Sequence, residues 1–311
     1  MKAIVINEFG GPETLMLKEL PKPQFGDNEV LIKVKAAGLN PVDTKIRSGN
    51  HISCKNLKLP AILGKDMSGV IEAIGSNVSA FEPGDEVFGC IASTYAEYVV
   101  ASPDSIVKKP ASMSFEEAAA VSLAALTAYQ AIHDHLRLVS GQKILIQSAA
   151  GGVGHLAVQF AKLTGAYVSG TASAKNAEFL KAIGVDQPID YKNEKFEDMV
   201  HDLDAVMDTM GGDVLYRSIA CVKPGGTVVC LPSSTKDDPK AVALAAERGV
   251  HLIWFMMQPI KEILQLIADL MSEGKLKVEL DQILPMEKIA EAHAAIESHS
   301  VRGKIVVNVQ P

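Results

Sequence analysis

The chain has 311 residues, of which 30 are Lys or Arg and 37 are Asp or Glu, so its formal net charge is −7. Hydrophobic residues make up 48% and charged residues 22%, as in ordinary globular proteins, which argues against a disordered or fibrous chain. The acidic balance also argues against non-specific nucleic-acid binding, which depends on neutralising phosphates with cations. At about 150 residues per domain, the length predicts two domains.

Four cysteines are scattered along the sequence without a C-x-x-C pair, which disfavours a structural zinc site and suits a reducing compartment. The N-terminal segment Met1–Glu8 alternates like a strand and lacks the basic-then-apolar pattern of a signal peptide. The longest apolar stretch, Ala118–Ile132, is shorter than the about 20 residues that a membrane-spanning helix needs. We therefore expect a soluble protein of the cytoplasm.

The chain before Ser114 consists of short apolar runs separated by turn residues such as Pro83-Gly84-Asp85. No segment there is long enough for a helix that would connect parallel strands. The pattern predicts a mostly antiparallel, β-rich domain. The predicted strands are Lys2–Ile6, Glu29–Ala37, Gly69–Ile74, Glu86–Phe88 and Tyr95–Val100.

From Ser114 onward, strand-like and helix-like segments alternate. Ser114 and Glu117 form a capping-box pattern that opens an Ala-rich helix running toward His135. Strands separated by helices are typical of a parallel, doubly wound sheet. The predicted strands are Lys143–Gln147, Tyr167–Thr171, Ala205–Asp208 and Thr227–Leu231, with helices over His155–Leu163, Ala177–Ile183 and Leu215–Cys221. The last predicted elements are helix Ile260–Ser272, strand Leu280–Leu284, helix Glu287–Ser298 and strand Lys304–Val309.

A glycine-rich turn follows the predicted strand Lys143–Gln147. Gly152, Gly154 and Ala157 have the G-x-G-x-x-G/A spacing of dinucleotide-binding folds, in which backbone N–H groups and a helix N-terminus hold a pyrophosphate. The strand before the turn and the helix after it favour this function over an ordinary glycine-rich connection. The residues predicted to bind the dinucleotide here are Ala150, Gly151, Gly152, Val153 and Gly154.

The residues after the second strand of this region indicate which dinucleotide is bound. NAD-binding folds place an Asp or Glu there to hold the ribose 2′-hydroxyl, and no carboxylate occurs from Tyr167 to Asn176. The segment instead offers the hydroxyls of Thr171 and Ser173 and the charge of Lys175, which suit a 2′-phosphate. The alternative is that Lys175 is only a solvated residue at a helix start. The missing acid favours NADP(H) over NAD(H).

Short motifs occur in order along nearly the whole chain. They are Gly38–Gly49, Gly64–Gly75, Phe81–Gly89, Tyr95–Val99, Leu123–Tyr129, Ala149–Gly154, Lys223–Gly226 and Gly303–Val306. Together they resemble the medium-chain dehydrogenase/reductase superfamily, and most of all its zinc-free quinone oxidoreductase (ζ-crystallin-like) branch. The resemblance implies an α/β protein with a GroES-like β-rich catalytic domain, residues 1–120 completed by 274–311, and an NADP-binding Rossmann-type domain, residues 121–273.

The resemblance also bears on metal binding. Zinc-dependent relatives hold the metal at positions that match Asn40, Lys65 and Leu123, and none of these is a usual zinc ligand. His51 and Cys54 have a ligand-like spacing, but two ligands without further partners are more often incidental. We therefore expect no metal. Without a Lewis acid, hydride donation to a quinone, enone or enal is favoured over alcohol oxidation.

The family positions also suggest catalytic residues. Asn40 and Thr127 are expected near the nicotinamide, where Asn40 could hydrogen-bond the carboxamide or a substrate oxygen. The alternative for Asn40 is a satisfied turn residue before Pro41. Asp43 could form an ion pair with Arg47 and so anchor this segment.

Three further features of the sequence each allow more than one interpretation. His51 occupies a position at the mouth of the substrate cleft where relatives usually have a Tyr, and it could protonate the product oxygen or be an exposed loop residue without a role. The predicted catalytic residues are thus Asn40, Asp43 and His51. Tyr191 matches a position near the phosphate of the adenosine, or is a rim aromatic. The apolar segment His251–Met257 is expected to be an edge strand pairing across a homodimer axis, a pocket wall or plain core.

These observations predict an NADPH-dependent quinone oxidoreductase or alkenal/enone reductase that acts on a small molecule. A different class of function remains as the alternative, namely an NADPH-binding sensor or scaffold with little turnover. Neither nucleic acid nor a membrane is expected as a partner.

Overall fold

In the computed structural model, which describes residues 1–309, the chain divides into two units. The first unit comprises Met1–Leu126 together with the chain from Pro259 onward, and the second comprises Thr127–Gln258. The predicted domain boundaries differ from this division mainly at the helix Lys261–Ser272, which belongs to the first unit. Its apolar face is buried there, and Lys261 Nζ donates to the carbonyl oxygen of Pro103 at 2.8 Å.

The elements follow the predicted order closely. The strands are β1 (Lys2–Ile6), β2 (Met16–Glu19), β3 (Val30–Gly38), β4 (Ala61–Ile62), β5 (Asp66–Ile74), β6 (Glu86–Cys90), β7 (Tyr98–Ala101), β8 (Ile106–Lys108), β9 (Lys143–Ile146), β10 (Tyr167–Ala172), β11 (Gln187–Asp190), β12 (Leu203–Asp208), β13 (Val222–Cys230), β14 (His251–Trp254), β15 (Leu280–Pro285) and β16 (Lys304–Asn308). The α-helices are α1 (Pro41–Arg47), α2 (Phe115–Tyr129), α3 (Gly154–Thr164), α4 (Ala177–Ala182), α5 (Phe196–Met199), α6 (Gly212–Ala220), α7 (Pro239–Arg248), α8 (Lys261–Ser272) and α9 (Ile289–Glu297). A π-helical segment, Gln130–His135, continues α2 as far as the sequence predicted.

The first unit is built mainly from antiparallel strands, as its short apolar runs predicted. β2, β1 and β4 form a small sheet, and a larger sheet has the order β15-β16-β3-β5-β6-β8 with β7 paired to β3. β16 lies antiparallel beside β3, with Val306 opposite Gly38, so the first residue of β16 lies alongside the chain that leaves β3. This register brings the two ends of the unit's sequence together.

The second unit contains one parallel sheet in the order β11-β10-β9-β12-β13-β14. Counted from β9, this order is 3-2-1-4-5-6, the doubly wound arrangement in which ligands bind at the carboxyl ends of the strands where the order reverses. Ile144, Leu145 and Ile146 of the central strand β9 are fully buried, as expected for a parallel strand covered on both faces. β14 lies at the edge of the sheet, which is one of the three alternatives given for the apolar segment that contains it.

Candidate functional site

The turn between β9 and α3 requires glycine at two of the positions that the sequence singled out, Gly151 and Gly154. A Cβ at Gly154 would overlap the carbonyl oxygen of Ser148, and a Cβ at Gly151 would lie 2.9 Å from Ser148 Oγ. In dinucleotide-binding folds, the missing side chain of such a glycine lets the backbone approach the pyrophosphate. The structure adds a more direct reason, because only glycine allows the start of α3 to lie this close to the turn that precedes it.

The same turn presents backbone donors at the start of a helix. The N–H groups of Gly152 and Val153 donate to no group within residues 1–309, and Ala150 is buried beneath them with 4% of its surface exposed. The N–H groups of Gly152 and Val153 precede the eleven-residue helix α3, whose dipole places partial positive charge at its N-terminus. Free amides at a helix N-terminus suit a pyrophosphate, so these residues fit the predicted dinucleotide.

Thr171 does not lie where the sequence interpretation placed it. Its side chain is 2% exposed, its hydroxyl donates to Gln147 Oε1 at 2.7 Å, and it accepts from the Ser148 N–H at 3.0 Å. The hydroxyl therefore stabilises the turn from inside the sheet and does not face a phosphate. The error arose because β10 is covered on both faces, so every residue from Val168 to Ala172 is buried, Thr171 included.

Ser173, Lys175 and Tyr191 do lie together at the carboxyl ends of β10 and β11. Ala172 is in register with Asp190, and the Tyr191 N–H donates to the Ala172 carbonyl oxygen at 3.2 Å. Lys175 and Tyr191 are exposed, and Lys175 forms no ion pair with any residue from 1 to 309. A free cation and an exposed ring at this end of the sheet suit an anionic group on an adenosine.

Asp190 is a neighbour that the sequence interpretation missed, because it stands on the third strand rather than after the second. Its Oδ1 accepts from the N–H groups of Ala174 and Lys192, and its Oδ2 accepts from Asn193 Nδ2 at 2.6 Å. These bonds, chiefly that from Asn193, lower the pKa of the Asp190 carboxyl. Oδ1 thus bonds the loop between β10 and α4 through Ala174, and both oxygens bond the segment that follows β11.

A chain of hydrogen bonds links the carboxyl ends of the central strands of the second unit. Gln147 Oε1 accepts from Thr171, Gln147 Nε2 donates to Ser218 Oγ at 3.0 Å, and Ser218 Oγ is 3.4 Å from Asp208 Oδ2. Asp208 Oδ1 accepts from the backbone N–H groups of the following loop, and burial raises the pKa of its carboxyl. This network fixes the sheet end at which the order of the strands reverses.

In the first unit, Asn40 caps helix α1 and shares a capping box with Asp43. The Asn40 N–H donates to Asp43 Oδ2 at 2.9 Å, and the Tyr95 hydroxyl donates to the same oxygen at 2.9 Å. Asp43 Oδ1 is buried without a partner among the described residues. Burial raises the pKa of Asp43 to about 7, although the Tyr95 hydrogen bond works in the opposite direction. Asp43 is therefore a buried carboxyl that changes charge near neutral pH.

The side chain of Asn40 joins a second buried carboxylate to a buried lysine. Asn40 Nδ2 donates to Asp66 Oδ2 at 2.9 Å, and Lys304 Nζ donates to Asn40 Oδ1. Lys304 also donates to the Leu39 carbonyl oxygen at 2.7 Å and lies 3.6 Å from Asp66 Oδ2. Asn40 is thus a hydrogen-bonded helix-capping residue, as one alternative had it, and its contact with the nicotinamide or the acceptor stays a prediction.

Asp66, Tyr95 and Lys304 were not predicted as site residues, although each lies in a motif that carried the resemblance. The available signal was a charged residue at the first position of an apolar strand, as in Asp66 of β5 and Lys304 of β16. Such residues are almost never fully buried unless paired. Sequence alone does not show the pairing, because 238 positions of chain separate the two.

The predicted ion pair between Asp43 and Arg47 is wrong. Arg47 Nη2 instead bonds Glu297 Oε1 at 2.5 Å, Arg47 Nε donates to the Gly10 carbonyl oxygen, and Nη1 lies 3.3 Å from His293 Nδ1. Residues four apart on α1 would face each other, but α9 supplies a carboxylate that is better placed for the buried guanidinium. Arg47 therefore anchors α1 to the C-terminal helix.

His51 precedes the short 3₁₀ segment Ile52–Asn56 and is half-buried. Its Nδ1 accepts from the Ser53 N–H at 3.3 Å and lies 2.8 Å from Ser53 Oγ, which places the ring proton on Nε2. Burial, with the charges of Lys45 and Lys65, lowers its pKa. The lowered pKa favours the neutral ring, and the role of His51 as a proton donor stays a prediction.

Among residues 1–309, no three His, Cys, Asp or Glu side chains come close enough to hold a metal ion.

Thr127 is a buried residue near the end of α2. In the same range of residues, no helix is long and apolar enough to cross a membrane.

This architecture defines a class of protein, a two-domain dehydrogenase with a β-rich unit and a dinucleotide-binding sheet. Residues 26–111 match the family model of the alcohol dehydrogenase GroES-like domain, and residues 183–307 match that of zinc-binding dehydrogenases. The chain is 33% identical to the human quinone oxidoreductase, with 99% of this chain and 97% of the human protein covered. It is also 33% identical to 2-methylene-furan-3-one reductase of Solanum lycopersicum, covering 100% of this chain and 80% of that protein.

Among solved structures, the quinone oxidoreductase of Escherichia coli complexed with NADPH superposes with a TM-score of 0.91 at 28% identity, over 99% of this chain and 100% of that chain. The chain therefore belongs to the medium-chain dehydrogenase/reductase superfamily, in its quinone oxidoreductase branch. The predicted fold class, a GroES-like unit with a Rossmann-type parallel sheet, is confirmed. Its homologues support an oxidoreductase that uses a nicotinamide cofactor and acts on a small molecule.

Proposed function

We propose that this protein is a zinc-independent reductase that uses NADPH to reduce quinones or α,β-unsaturated carbonyl compounds. The observation that carries the proposal is the turn from Ser148 to Gly154, whose free N–H groups begin α3 at the reversal point of a doubly wound sheet. The relatives named above, which include a quinone oxidoreductase and a furanone reductase, support the two acceptor classes.

The preference for NADPH is supported by the end of β10. Ser173 and Lys175 lie beside Tyr191 at the edge where the adenosine ribose of a dinucleotide binds in such sheets. The Asp190 carboxylate beside this segment is engaged by Ala174, Lys192 and Asn193. A 2′-phosphate would therefore meet the Lys175 ammonium group and the hydrogen of the Ser173 hydroxyl, whose oxygen accepts from Asn176 Nδ2 at 3.4 Å, rather than the Asp190 carboxylate.

Zinc independence is supported by the donor set of this chain. Leu123 offers no side-chain ligand, and Asn40 Oδ1 already accepts from the Lys304 ammonium. A second cation beside that ammonium would be repelled. Bound NADPH would supply the hydride, and Asn40 would donate a side-chain hydrogen bond to a carbonyl oxygen of the cofactor or the acceptor.

A screen of NADPH oxidation at 340 nm tests the proposal over quinones, enones, enals and enoyl thioesters, each with and without a chelator. We expect turnover with quinones or enones that the chelator does not change. Loss of turnover on chelation would overturn zinc independence. Tight NADPH binding without oxidation of any acceptor would instead favour a sensor or scaffold.

The cofactor preference has a sharper test in the substitution Lys175→Glu. We expect the dissociation constant for NADPH to rise by about 10-fold or more while that for NADH changes little, since a phosphate-binding charge is reversed. Lys181→Glu on the exposed face of α4, where the lysine pairs with Glu178, is the matched control. Equal weakening of both cofactors, or of neither, would contradict the assignment of the 2′-phosphate.

We also propose that the protein is a cytoplasmic homodimer. β14 offers an unpaired strand edge, and Met256 beyond it is 61% exposed, so a second copy could extend the sheet. The four cysteines are unpaired, in keeping with a reducing compartment. Light scattering after gel filtration gives the mass directly, and a monomer at micromolar concentration would contradict the dimer.

A further inference from the structure

Lys304 is an amino group held away from water. Its side chain is 3% exposed, at the first position of β16 between β15 and β3. Three oxygens lie around Nζ, namely the Leu39 carbonyl oxygen, Asn40 Oδ1 and Asp66 Oδ2. An ammonium group has three donors and no acceptor, so the number of surrounding acceptors matches its charged form.

This arrangement fixes which way the amide of Asn40 faces. Because Lys304 can only donate, the atom of Asn40 that faces Nζ must be the oxygen. Because the Asp66 carboxylate can only accept, the atom that faces Asp66 must be the nitrogen. The two ionic neighbours therefore specify the same orientation, and turning the amide over would place like groups against each other on both sides.

The held amide keeps some bonding capacity. Asn40 Nδ2 uses one of its two hydrogens on Asp66, and the second has no acceptor within the part of the chain that the structure describes. The hydrogen bond from a cation to Oδ1 draws electron density toward the oxygen, which makes the remaining N–H a stronger donor.

We propose that Lys304 and Asp66 are positioning residues that hold Asn40 in one amide orientation and present its second Nδ2 hydrogen as a donor to a carbonyl oxygen in the active site. The inference rests on the proposed function, since that oxygen belongs to the carboxamide of NADPH or to the acceptor. Lys304 itself touches neither, and acts through Asn40.

A purely structural role would give different consequences. If the pair served only to balance charge, replacing both members by neutral residues would restore whatever a single substitution had lost. If it orients Asn40, the neutral pair restores stability but leaves the amide free to turn over. In the Asp66→Asn variant, the amide at position 66 can also donate to Asn40 where the carboxylate could only accept.

The test compares Lys304→Met, the double variant Lys304→Met/Asp66→Asn, and Lys288→Met as a matched control. Lys288 lies in the same C-terminal segment and forms an exposed ion pair with Glu291. The readouts are kcat and the KM of NADPH, the urea midpoint, and the side-chain amide resonances of Asn40 in protein labelled with ¹⁵N-asparagine. The Asn40→Asp variant identifies those resonances by their loss.

We expect the double variant to regain the urea midpoint of the parent while its kcat stays about 10- to 100-fold lower, as for other groups that orient a reacting partner. The two Asn40 amide protons should move to new shifts and exchange faster with water in both Lys304 variants. Lys288→Met should leave all readouts unchanged.

Recovery of kcat together with stability in the double variant would overturn the inference and leave charge balance as the role of the pair. Unchanged Asn40 resonances in Lys304→Met would overturn it as well. If the parent protein oxidises no NADPH with any acceptor, the proposed function has failed, and the Asn40 resonances still decide whether Lys304 and Asp66 set the amide orientation.

Discussion

The two units hold their functional groups by different physical means. In the first unit, Asn40 is held between a buried ammonium and a buried carboxylate. In the second unit, the side-chain amide of Gln147 is held by neutral partners, the hydroxyls of Thr171 and Ser218. Charged partners specify one orientation strongly but are costly to bury, whereas neutral partners cost less and specify less. The difference suggests that the first unit is the more sensitive to single substitutions and to pH.

The strongest test of this comparison is Asp66→Leu. It leaves the Lys304 ammonium buried without a counter-charge and removes the acceptor of the Asn40 side chain and of the Leu123 N–H. Removing one partner of a buried ion pair costs about 3–5 kcal/mol. Hydrogen exchange of the amides in the ladder between β3 and β5 would measure this loss within the first unit alone.

An exposed ion pair provides the control for Asp66→Leu. Glu291 pairs with Lys288 on the surface of α9, and Glu291→Leu should change stability by no more than about 0.5 kcal/mol. A loss of the same small size for Asp66→Leu would mean that Lys304 is neutral in the folded protein, and the contrast between the units would lose its basis.

Asp43 gives the first unit a dependence on pH. Its pKa is raised by burial to about 7 in the folded state, against an ordinary value of 3.8. Between these values the folded protein keeps a proton that the unfolded chain has released, so stability falls as pH rises from about 4 to 7 and is then level. Asp43→Asn removes the pH-dependent contribution of this carboxyl to the free energy of unfolding. The stability of the variant relative to the parent should therefore grow between pH 4 and 7, by at most about 4 kcal/mol.

Urea unfolding of the parent and of Asp43→Asn at several pH values between 4 and 8 measures the difference directly. Asp198→Asn is a suitable control, because that carboxylate lies on the surface of α5 in the second unit. A constant difference across the window would show that Asp43 titrates at its ordinary pKa and that Tyr95 and the capping box outweigh its burial.

The sequence predicted the second unit better than the first. The parallel sheet and the turn to Gly154 follow from local patterns, since each strand in such a sheet is a continuous apolar run next to a helix. The edge position of β14 was only one of three alternatives. Helix α7 was missed although its signals were present, with Asp238 capping it, Pro239 at its start and Gly249 after its end.

The candidate site of the first unit could be predicted only in part. The resemblance pointed to Asn40, but its partners lie on strands far apart in sequence, and only the antiparallel register of β16 against β3 brings Lys304 beside it. The misplaced residues share one cause. Thr171 and the pair of Asp43 and Arg47 were interpreted from local spacing, whereas burial in the sheet and the arrival of α9 decide their contacts.

The smallest expected effect concerns the hydrogen bonds of Gln147 with Thr171 and Ser218 in the second unit. Gln147→Met keeps the side-chain volume but removes the acceptor of Thr171 and the donor to Ser218. Two buried hydroxyls then lose a partner each, which should cost about 1–3 kcal/mol. The loss should appear in hydrogen exchange of the amides of β9 and β10. NADPH affinity should weaken as well, since Thr171 holds the Ser148 N–H at the start of the phosphate-binding turn.

Gln265→Met on the exposed face of α8 is the control, because the Gln265 amide donates to the exposed Asp269 and its loss should change stability by no more than about 0.5 kcal/mol. If Gln147→Met were as costly as Asp66→Leu, neutral and charged partners would be equally demanding, and the contrast drawn between the two units would be wrong. If it weakened NADPH binding without changing stability, the network would act on the turn alone, and Gln147 would be a positioning residue in the same sense as Lys304.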